Sequence, residues 1–513
     1  MTLAAGVVLA SRSARSKQRS MRPGAAPGRG LLDLARGDTP PGTVGELQQK
    51  HLLALNLRGV PGAHAFVPRS YYLPRAGDKR AACDERLAFE ADFQLSHAAA
   101  VLQHAADVST RHLVDEAAVN VACAVCQRYA GAGAACEVSA DEWRTLAAQD
   151  LAKPARDAPG AGPAVSADLS DRASLALQGL AERAPELQLG LLHRNVWLMK
   201  PSTGALGRGI AFVTGHCGCD VSGSCVEIGL PGKERRAGCE DGVGHVVQKY
   251  VERPHLINPS RLRGLEAAAG WCADACLPDA LYKYNIRCWL DVLWSAAEPE
   301  AWLYEDGYVE FADLPYTEEL LAMAAHVTNL SLAPAPGAGA PPRAPWMWPT
   351  EAYRQHLLVL LGEDAYRGRL LPQIRRCAAA ALAAVRPAEP REGARPAAWK
   401  RFGLDFLVDQ DLGVWLIEVN YNPGMQSARG RRGEMKRNLV RRFCDAEQQL
   451  RASRTPGVAA SAGEAGAGAA VGRKPAGGVE CLGSGSAPLV GEDDPVEPGL
   501  HGFRLLHVPG WGT

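Results

Sequence analysis

The chain has no net charge. Its 56 lysines and arginines are matched by 56 aspartates and glutamates, which excludes a chain-wide polycation built for nucleic acid or for an anionic membrane and leaves any charged partner to a local patch. It also has no run approaching the roughly 20 apolar residues of a membrane span. The one early apolar run, Leu3 to Ala10, precedes the basic residues, the reverse of a secretory leader, so an intracellular protein is expected. Fourteen cysteines lie scattered without the framework of a small stapled domain, so reduced core or loop thiols are expected. No internal repeat is present. What the 513 residues do contain is 47% hydrophobic content, enough for a sizeable core divided over two or three units.

Residues 1–50 read as a basic, disordered leader: Arg12, Arg15, Lys17, Arg19, Arg22 and Arg29 come before the first acid, Asp33. That composition fits a solvated arm and also fits an organelle transit peptide. Residues 51–152 read as helical, with Phe89, Phe93, Leu95, Ala99 and Leu102 and then Leu113, Ala117, Val121 and Val125 near helical spacing, as one domain or as a cap on a larger one. Residues 153–175 read as a Pro-, Ala- and Gly-rich linker. From 176 to 445 short β-branched or aromatic runs alternate with Gly-rich and helical segments. The expected strands are Val196–Lys200, Ile210–Val213, His245–Val251, Asn285–Leu293, Ala301–Tyr304, Gly403–Val408 and Val414–Val419, and the expected helices Glu318–Ala325, Thr350–Leu361 and Leu371–Val385. This mixed order predicts an α+β catalytic body with polar inserts at Ala333–Pro345 and Arg386–Arg395. Residues 446–513 turn rich in Gly, Ala and Ser and are expected to form a disordered tail.

The chemistry gathers in a few segments. Gly403 to Val408 and Trp415 to Asn420 read as a hairpin about the turn Asp409 to Gly413. Glu418 and Asn420 are two apart and share a face, which Asp405 reaches from the partner strand. Three oxygen-bearing side chains there suit Mg²⁺, since carboxylates amid apolar neighbours are seldom left without a partner or a metal, the alternative being a solvated polar face. In a second segment a strand ending at Lys200 runs into Gly204, Gly207, Arg208, Gly209 and Ile210. Such a turn is either purely structural or lets backbone N–H groups meet an anion, with Lys200 as a point charge. It is no Walker A loop, because the lysine precedes the glycines. Alternation sets Lys283, Asn285 and Arg287 against Tyr284, Ile286 and Cys288, so the polar three face water or an anionic ligand. With Gln248, Lys249, Tyr250 and Val251 beside them, lysines for phosphate, a strand pair for adenine and a carboxylate and amide for Mg²⁺ together point to a nucleoside triphosphate.

The ordered set Lys200-Pro201 with Gly207 to Ile210, Gln248 to Pro254, Lys283 to Arg287, His326 to Asn329 and Glu418 to Pro423 resembles the tubulin tyrosine ligase-like family. Phe66 to Leu73 and Glu85, Phe89, Asp92 and Phe93 resemble its glycylase branch. The resemblance implies an ATP-grasp fold with ATP between two sheets. Lys200 and the loop to Gly209 would hold phosphates, Gln248 to Val251 adenine, Lys283 and Asn285 phosphates and ribose, and Asp405, Glu418 and Asn420 Mg²⁺. Arg287 and Lys283 would be the catalytic cations. The implied partners are ATP, free glycine and the acidic tails of tubulin in microtubules, with no nucleic acid or membrane, for a monomer in the cytoplasm, cytoskeleton, cilium or flagellum axoneme. The implied reaction activates a glutamate γ-carboxylate as an acyl phosphate and joins it to an amine. A polyglutamylase or a catalytically silent microtubule-binding relative are the alternatives. Two departures bear on this: Asn285 stands where the family has Asp, and Glu310 where it has an Arg for the amino-acid carboxylate.

Two further clusters stay open. His216, Cys217, Cys219, Cys225, Cys239, Cys272 and Cys276 form a zinc site of no common spacing, or are inert thiols. Arg429, Arg431, Arg432, Lys436, Arg437, Arg441 and Arg442 form a solvated helix face, or a patch for acidic tails.

Overall fold

A computed structural model describes residues 44–74, 79–132, 137–151, 165–202, 207, 209–214, 244–262, 279–294, 299–320, 322–328, 347–385, 398–421, 423, 430–454 and 502–509. Helices α1 (Val44–Gln48) and α2 (Lys50–Arg58) lead to strand β1 (Ser70–Leu73) and to helices α3 (Lys79–Ala106), α4 (Glu116–Ala132), α5 (Ala140–Ala147) and α6 (Ala167–Arg183). Strands β2 (Trp197–Pro201), β3 (Ala211–Val213), β4 (His245–Lys249), β5 (Tyr284–Trp294) and β6 (Glu300–Phe311) follow. The chain continues through α7 (Met323–His326), β7 (Met347–Pro349), α8 (Thr350–Leu361), α9 (Leu371–Ala383), β8 (Ala398–Val408), β9 (Val414–Tyr421), α10 (Gly430–Arg454) and β10 (Phe503–Leu505). The strands form two antiparallel sheets, one in the order β1-β4-β2-β3 and one in the order β10-β6-β5-β8-β9 with β7 beside β6. The class is α+β.

The first third is a helical bundle, although Leu113 lies in a turn before the second expected helix and Ala117 on its exposed side, because Ala118, Val119, Ala122 and Val125 form the buried face. Leu95, Ala99 and Leu102 of α3, Val119 and Val125 of α4, and Leu169, Ala173 and Leu180 of α6 share one core, the alanines letting the helices approach closely. Ser139 caps α5, accepting the Glu142 N–H at 3.3 Å while Glu142 accepts the Ser139 N–H at 2.9 Å. The bundle is a cap on the four-stranded sheet, because Phe89 and Phe93 of α3 pack on Tyr71, Trp197, Met199 and Val247. Buried ions lock that joint. Asp92 accepts from Arg69, and from the Tyr71 hydroxyl at 2.6 Å, while Glu85 accepts from Arg58 and from the Tyr72 N–H at 2.9 Å.

Three segment boundaries differ from those expected. The stretch 153–175 is helical from Ala167, because Leu169 and Ala173 complete the bundle core; its residues 153–164 lie outside the described residues. The stretch 1–50 contains α1, whose Leu47 is buried, while its basic residues from Arg12 to Arg29 lie outside the described residues. The stretch 446–513 is not wholly a disordered tail. Helix α10 runs through it to Arg454, and Phe503 to Leu505 return as β10, pairing with Tyr304 to Trp302 of β6. The polar inserts Ala333–Pro345 and Arg386–Arg395 and the cysteine cluster from His216 to Cys276 fall outside the described residues.

The larger sheet carries the main core. Tyr284, Ile286, Cys288, Leu404 and Phe406 pack on Tyr353 and Leu357 of α8 and Ile374 and Leu382 of α9. On its other face α10 covers one end, where Phe443 meets Trp289, Tyr304 and Phe503. Asp291, buried in the sheet, faces Arg401 and Arg451 and so ties the helix down. The helix expected at Glu318–Ala325 is shorter, Met323 to His326. Among the described residues no helix is long and apolar enough to cross a membrane.

Strand β10 is held chiefly by Phe503, which is wholly buried. Phe503→Ala is expected to cost about 3 kcal/mol or more in folding stability, the range for truncating a core phenylalanine. Chemical denaturation monitored by tryptophan fluorescence measures it, and an unchanged midpoint would show that β10 is not part of the folded body.

Candidate functional site

The two sheets meet across a cleft. Leu191 and Val251 pack against Leu407 and Trp415, and the His255 and Gln410 N–H groups donate across to Val408 and Arg253 carbonyls, each at 2.9 Å. On the four-stranded sheet, alternation turns Trp197, Met199, Val247 and Lys249 toward the helical cap and Lys200 and Gln248 toward the cleft. Lys200 Nζ donates to Gln248 Oε1 at 2.6 Å, and Gln248 in turn donates to Ser70 Oγ at 3.1 Å. Burial lowers the Lys200 ammonium to about 8. Gly207 and Gly209, at φ 68° and 72°, form the left-handed turn that follows. Ile210 donates its N–H to the Gly207 carbonyl at 3.4 Å, and Arg208 lies outside the described residues.

Lys249 is placed differently from the expectation that groups its side chain with the adenine strand. Its ammonium is buried against Glu252 and donates to the Val196 carbonyl at 2.7 Å, on the cap side of the strand. The pair supports the sheet, and the Lys249 side chain is turned away from the cleft. Tyr250, the next residue, holds Lys283: the Lys283 ammonium donates to the Tyr250 hydroxyl at 2.9 Å.

On the larger sheet, Lys283, Asn285 and Arg287 face the cleft while Tyr284, Ile286 and Cys288 are core. Lys283 is 2% exposed and Asn285 4%, so neither faces solvent. Burial and the nearby Lys200 charge push the Lys283 ammonium well below the usual lysine range. Among the described residues no carboxylate hydrogen-bonds to either lysine. Arg287 donates from Nε and Nη2 to Asp405, the latter bond at 2.7 Å. Burial opposes the Arg287 charge, but Asp405 beside it outweighs that and holds its pKa above the ordinary value. Asp405 itself is pushed up by burial, against the pull of Arg287.

The hairpin sets Asp405 directly opposite Glu418, with a bulge beside it at Phe406. Asp409 stabilises the turn by accepting the Asp411 and Gly413 N–H groups at 2.9 and 2.7 Å. Asn420 donates to Asp405 at 2.9 Å. Glu418 is paired at 3.0 Å with Lys50, the first residue of α2, a site residue within the stretch expected to be a leader. The only hint was the apolar run that starts one residue later, at His51 to Leu57.

The donor set fits a hard divalent cation. Asp405, Glu418 and Asn420 present oxygens from paired strands, and the buried Asn285 Oδ1 beside them has no hydrogen-bond partner. The ammoniums of Lys200 and Lys283 fit an anion. The site therefore suits a polyphosphate bound with a cation. Glu310 lies opposite Asn285 on β6, and its charge also reaches Arg287. Beyond the cleft, Arg437, Arg441 and Arg442 are exposed on α10, while Arg429 and the side chains of Arg431 and Arg432 lie outside the described residues. His326 closes the cleft behind Tyr250.

A model of the tubulin-tyrosine ligase family matches residues 167–453. Tubulin glycylase 3B of Tetrahymena thermophila is 24% identical over 262 residues, 51% of this chain and 19% of that protein. Tubulin monoglycylase TTLL3 of Mus musculus is 26% identical over 256 residues, 48% of this chain and 23% of that protein. Protein monoglycylase TTLL8 of Homo sapiens is 24% identical over 328 residues, 60% of this chain and 33% of that protein. The chain thus spans a third or less of the length of these relatives.

An anion bound at Lys200 requires its charged form. Affinity for a triphosphate is expected to be full near pH 7 and to fall as pH rises through about 8. Stability of the unliganded protein moves the other way. Between about 8 and the ordinary 10.5 the unfolded chain holds a proton that the folded chain has released, so stability rises with pH. Titration calorimetry and thermal melts from pH 7 to about 9.5 read both, and a flat affinity over that range would remove Lys200 from the site.

Proposed function

The chain belongs to the tubulin-tyrosine ligase family, and from that premise we propose that it is an ATP- and Mg²⁺-dependent carboxylate–amine ligase of ATP-grasp architecture. Its reaction joins an amino acid, glycine in the first instance, to glutamate side chains of tubulin tails. The observation that carries this reading is a pair of ammoniums, the half-buried Lys200 and the buried Lys283, one from each sheet, with neutral hydrogen-bond partners only. Such groups are stable where a ligand brings the missing negative charge.

In this reading Lys200, Lys283 and the turn at Gly207 and Gly209 hold the triphosphate. Gln248 to Val251 line the adenine, with Leu407 and Trp415 across the cleft. Asn285 meets the ribose through its unpartnered Oδ1. Mg²⁺, held by Asp405, Glu418 and Asn420, supplies positive charge to the phosphates when bound. A γ-carboxylate oxygen of the tubulin glutamate attacks the terminal phosphorus, ADP leaves, and an acyl phosphate forms. The amine of the amino acid then attacks the acyl carbon, phosphate leaves, and the amine's surplus proton passes to water. Arg287 and Lys283 stabilise the charge that builds on the transferred group, the main contribution that fixed cations make to phosphoryl transfer. Exposed Arg437, Arg441 and Arg442 on α10 supply a local basic patch for acidic tails. The working form is a monomer acting on microtubules in the cytoplasm and the axoneme.

A second reading is a microtubule-binding relative without ligase activity. Glu310 favours it, since it adds a negative charge beside Arg287 on the face where the amino-acid carboxylate is expected.

Mass spectrometry of tubulin after incubation with the protein, ATP, Mg²⁺ and mixed amino acids distinguishes the two. A glycine adduct is expected, and its absence with every amino acid would favour the silent relative. Glu418→Gln is expected to abolish the adduct while the fold persists, since it removes a metal charge at constant shape; wild-type turnover would sink the metal assignment. Glu310→Arg is expected to give no gain, because Lys283 and Arg287 already face the same cleft. A rise in glycine incorporation would show instead that Glu310 obstructs the amino acid.

A further inference from the structure

A row of polar groups behind the cleft has only one possible direction. Lys283 Nζ lies 2.9 Å from Tyr250 Oη and 4.1 Å from the centre of the ring. Tyr250 Oη lies 3.0 Å from His326 Nδ1, and His326 Nε2 lies 3.0 Å from the Glu319 carbonyl oxygen. A carbonyl only accepts, so Nε2 carries a proton. Burial lowers the His326 imidazole to about 4, with Lys283 and Arg194 adding to the effect, so the ring is neutral and Nδ1 offers a lone pair. Burial also raises the Tyr250 phenol, which keeps its proton. Tyr250 therefore donates to His326, which turns its own lone pairs toward Lys283.

We propose that Tyr250 and His326 are positioning residues for Lys283: they hold its ammonium through a neutral acceptor of fixed direction, leaving two N–H groups and the whole charge for nucleotide phosphates. This rests on the nucleotide reading given above. A carboxylate at the position of the Tyr250 hydroxyl would hold the lysine equally well but cancel its charge. The rings are themselves fixed: Phe212 stands edge-on to Tyr250 at 5.3 Å and to His326 at 5.2 Å, and Tyr316 stands edge-on to His326 at 5.6 Å. The charged groups facing the row are Lys200 from β2, Arg194 before it and Glu252 after β4. Glu252 is itself taken up by Lys249 and by the N–H groups of Arg194 and Val196.

Three variants separate hydrogen bonding from ring packing. Tyr250→Phe removes the acceptor of the lysine. His326→Phe keeps a ring against Phe212 and Tyr316 but offers no acceptor, whereas His326→Asn loses the ring and keeps an oxygen near the position of Nδ1. Two readouts apply to the full chain: affinity for ATP with Mg²⁺ by calorimetry, and the pH dependence with which an amine-acylating reagent labels Lys283 in the unliganded protein, by mass spectrometry. Tyr250→Phe is expected to weaken ATP binding about tenfold and to move half-labelling down by about one pH unit. His326→Phe is expected to act in the same direction, about threefold, and His326→Asn to lie nearer wild type. If His326→Phe behaves as wild type and His326→Asn does not, the histidine only packs and the proposal is wrong. It is equally wrong if Tyr250→Phe leaves half-labelling unmoved. A wild-type protein that binds no ATP would overturn the nucleotide reading, and the labelling series would still decide how Lys283 is held. Should Tyr250→Phe fail to fold, the two His326 variants decide.

Discussion

A lysine ammonium kept out of water with no acid beside it is the constraint around which the cleft is built. Other buried charges among the described residues are paired: Arg69 meets Asp92, Arg58 meets Glu85, Lys249 meets Glu252, and Asp291 faces two arginines. Lys283 departs from that pattern, with the half-buried Lys200 across the gap between the two sheets. Their mutual repulsion and desolvation destabilise the unliganded fold. That cost is sustained by the cores on either side, and under the ligase reading the nucleotide phosphates would offset it.

The departure works only because the sheets are held at a fixed separation. The Val408 and Arg253 carbonyls accept N–H groups from the opposite side, and Leu191, Val251, Leu407 and Trp415 fill the space behind them. Strand β9 is the outer strand of its sheet, and an outer strand needs its backbone groups satisfied. The Phe66 carbonyl accepts the Leu416 N–H at 2.8 Å, so the segment after α2 partly covers the edge. Helix α2 itself sets Lys50, its first residue, on Glu418. Residues before the first sheet therefore shape the site as directly as the strands do.

Much of this was legible in the sequence, and the reasons differ by residue. Alternation gave the cleft face of Lys283, Asn285 and Arg287, because a two-residue period leaves no freedom once Tyr284, Ile286 and Cys288 are core. The hairpin was legible from its turn, and Asp405 does stand opposite Glu418. The same alternation, applied to Gln248 and Tyr250, would have turned the Lys249 side chain away; grouping the segment by motif obscured it. Helix α6 was hidden by the composition of residues just before it, and β10 by a long Gly- and Ala-rich stretch that says nothing about where the chain returns. Lys50 and the link from Tyr250 to His326 depend on contacts between segments far apart in the chain, for which a single sequence carries no local signal.

Charge on the cleft face also bears on the order in which substrates could enter. Arg287 is committed to Asp405 through two hydrogen bonds, and Lys50 is committed to Glu418. Under the ligase reading, a divalent cation arriving with the nucleotide competes for those same carboxylate oxygens, and each oxygen it takes releases a guanidinium or ammonium of the protein. A negative charge at Glu310 therefore does not by itself leave an amino-acid carboxylate without a partner, because Arg287 gains freedom only once the cation is bound. Under the same reading the face would receive a carboxylate poorly before the nucleotide and better after it. The phosphates, by contrast, find Lys200 and Lys283 with neutral partners from the outset. Under the ligase reading the charges thus favour nucleotide before amino acid, in line with a reaction in which the amine attacks only after phosphoryl transfer.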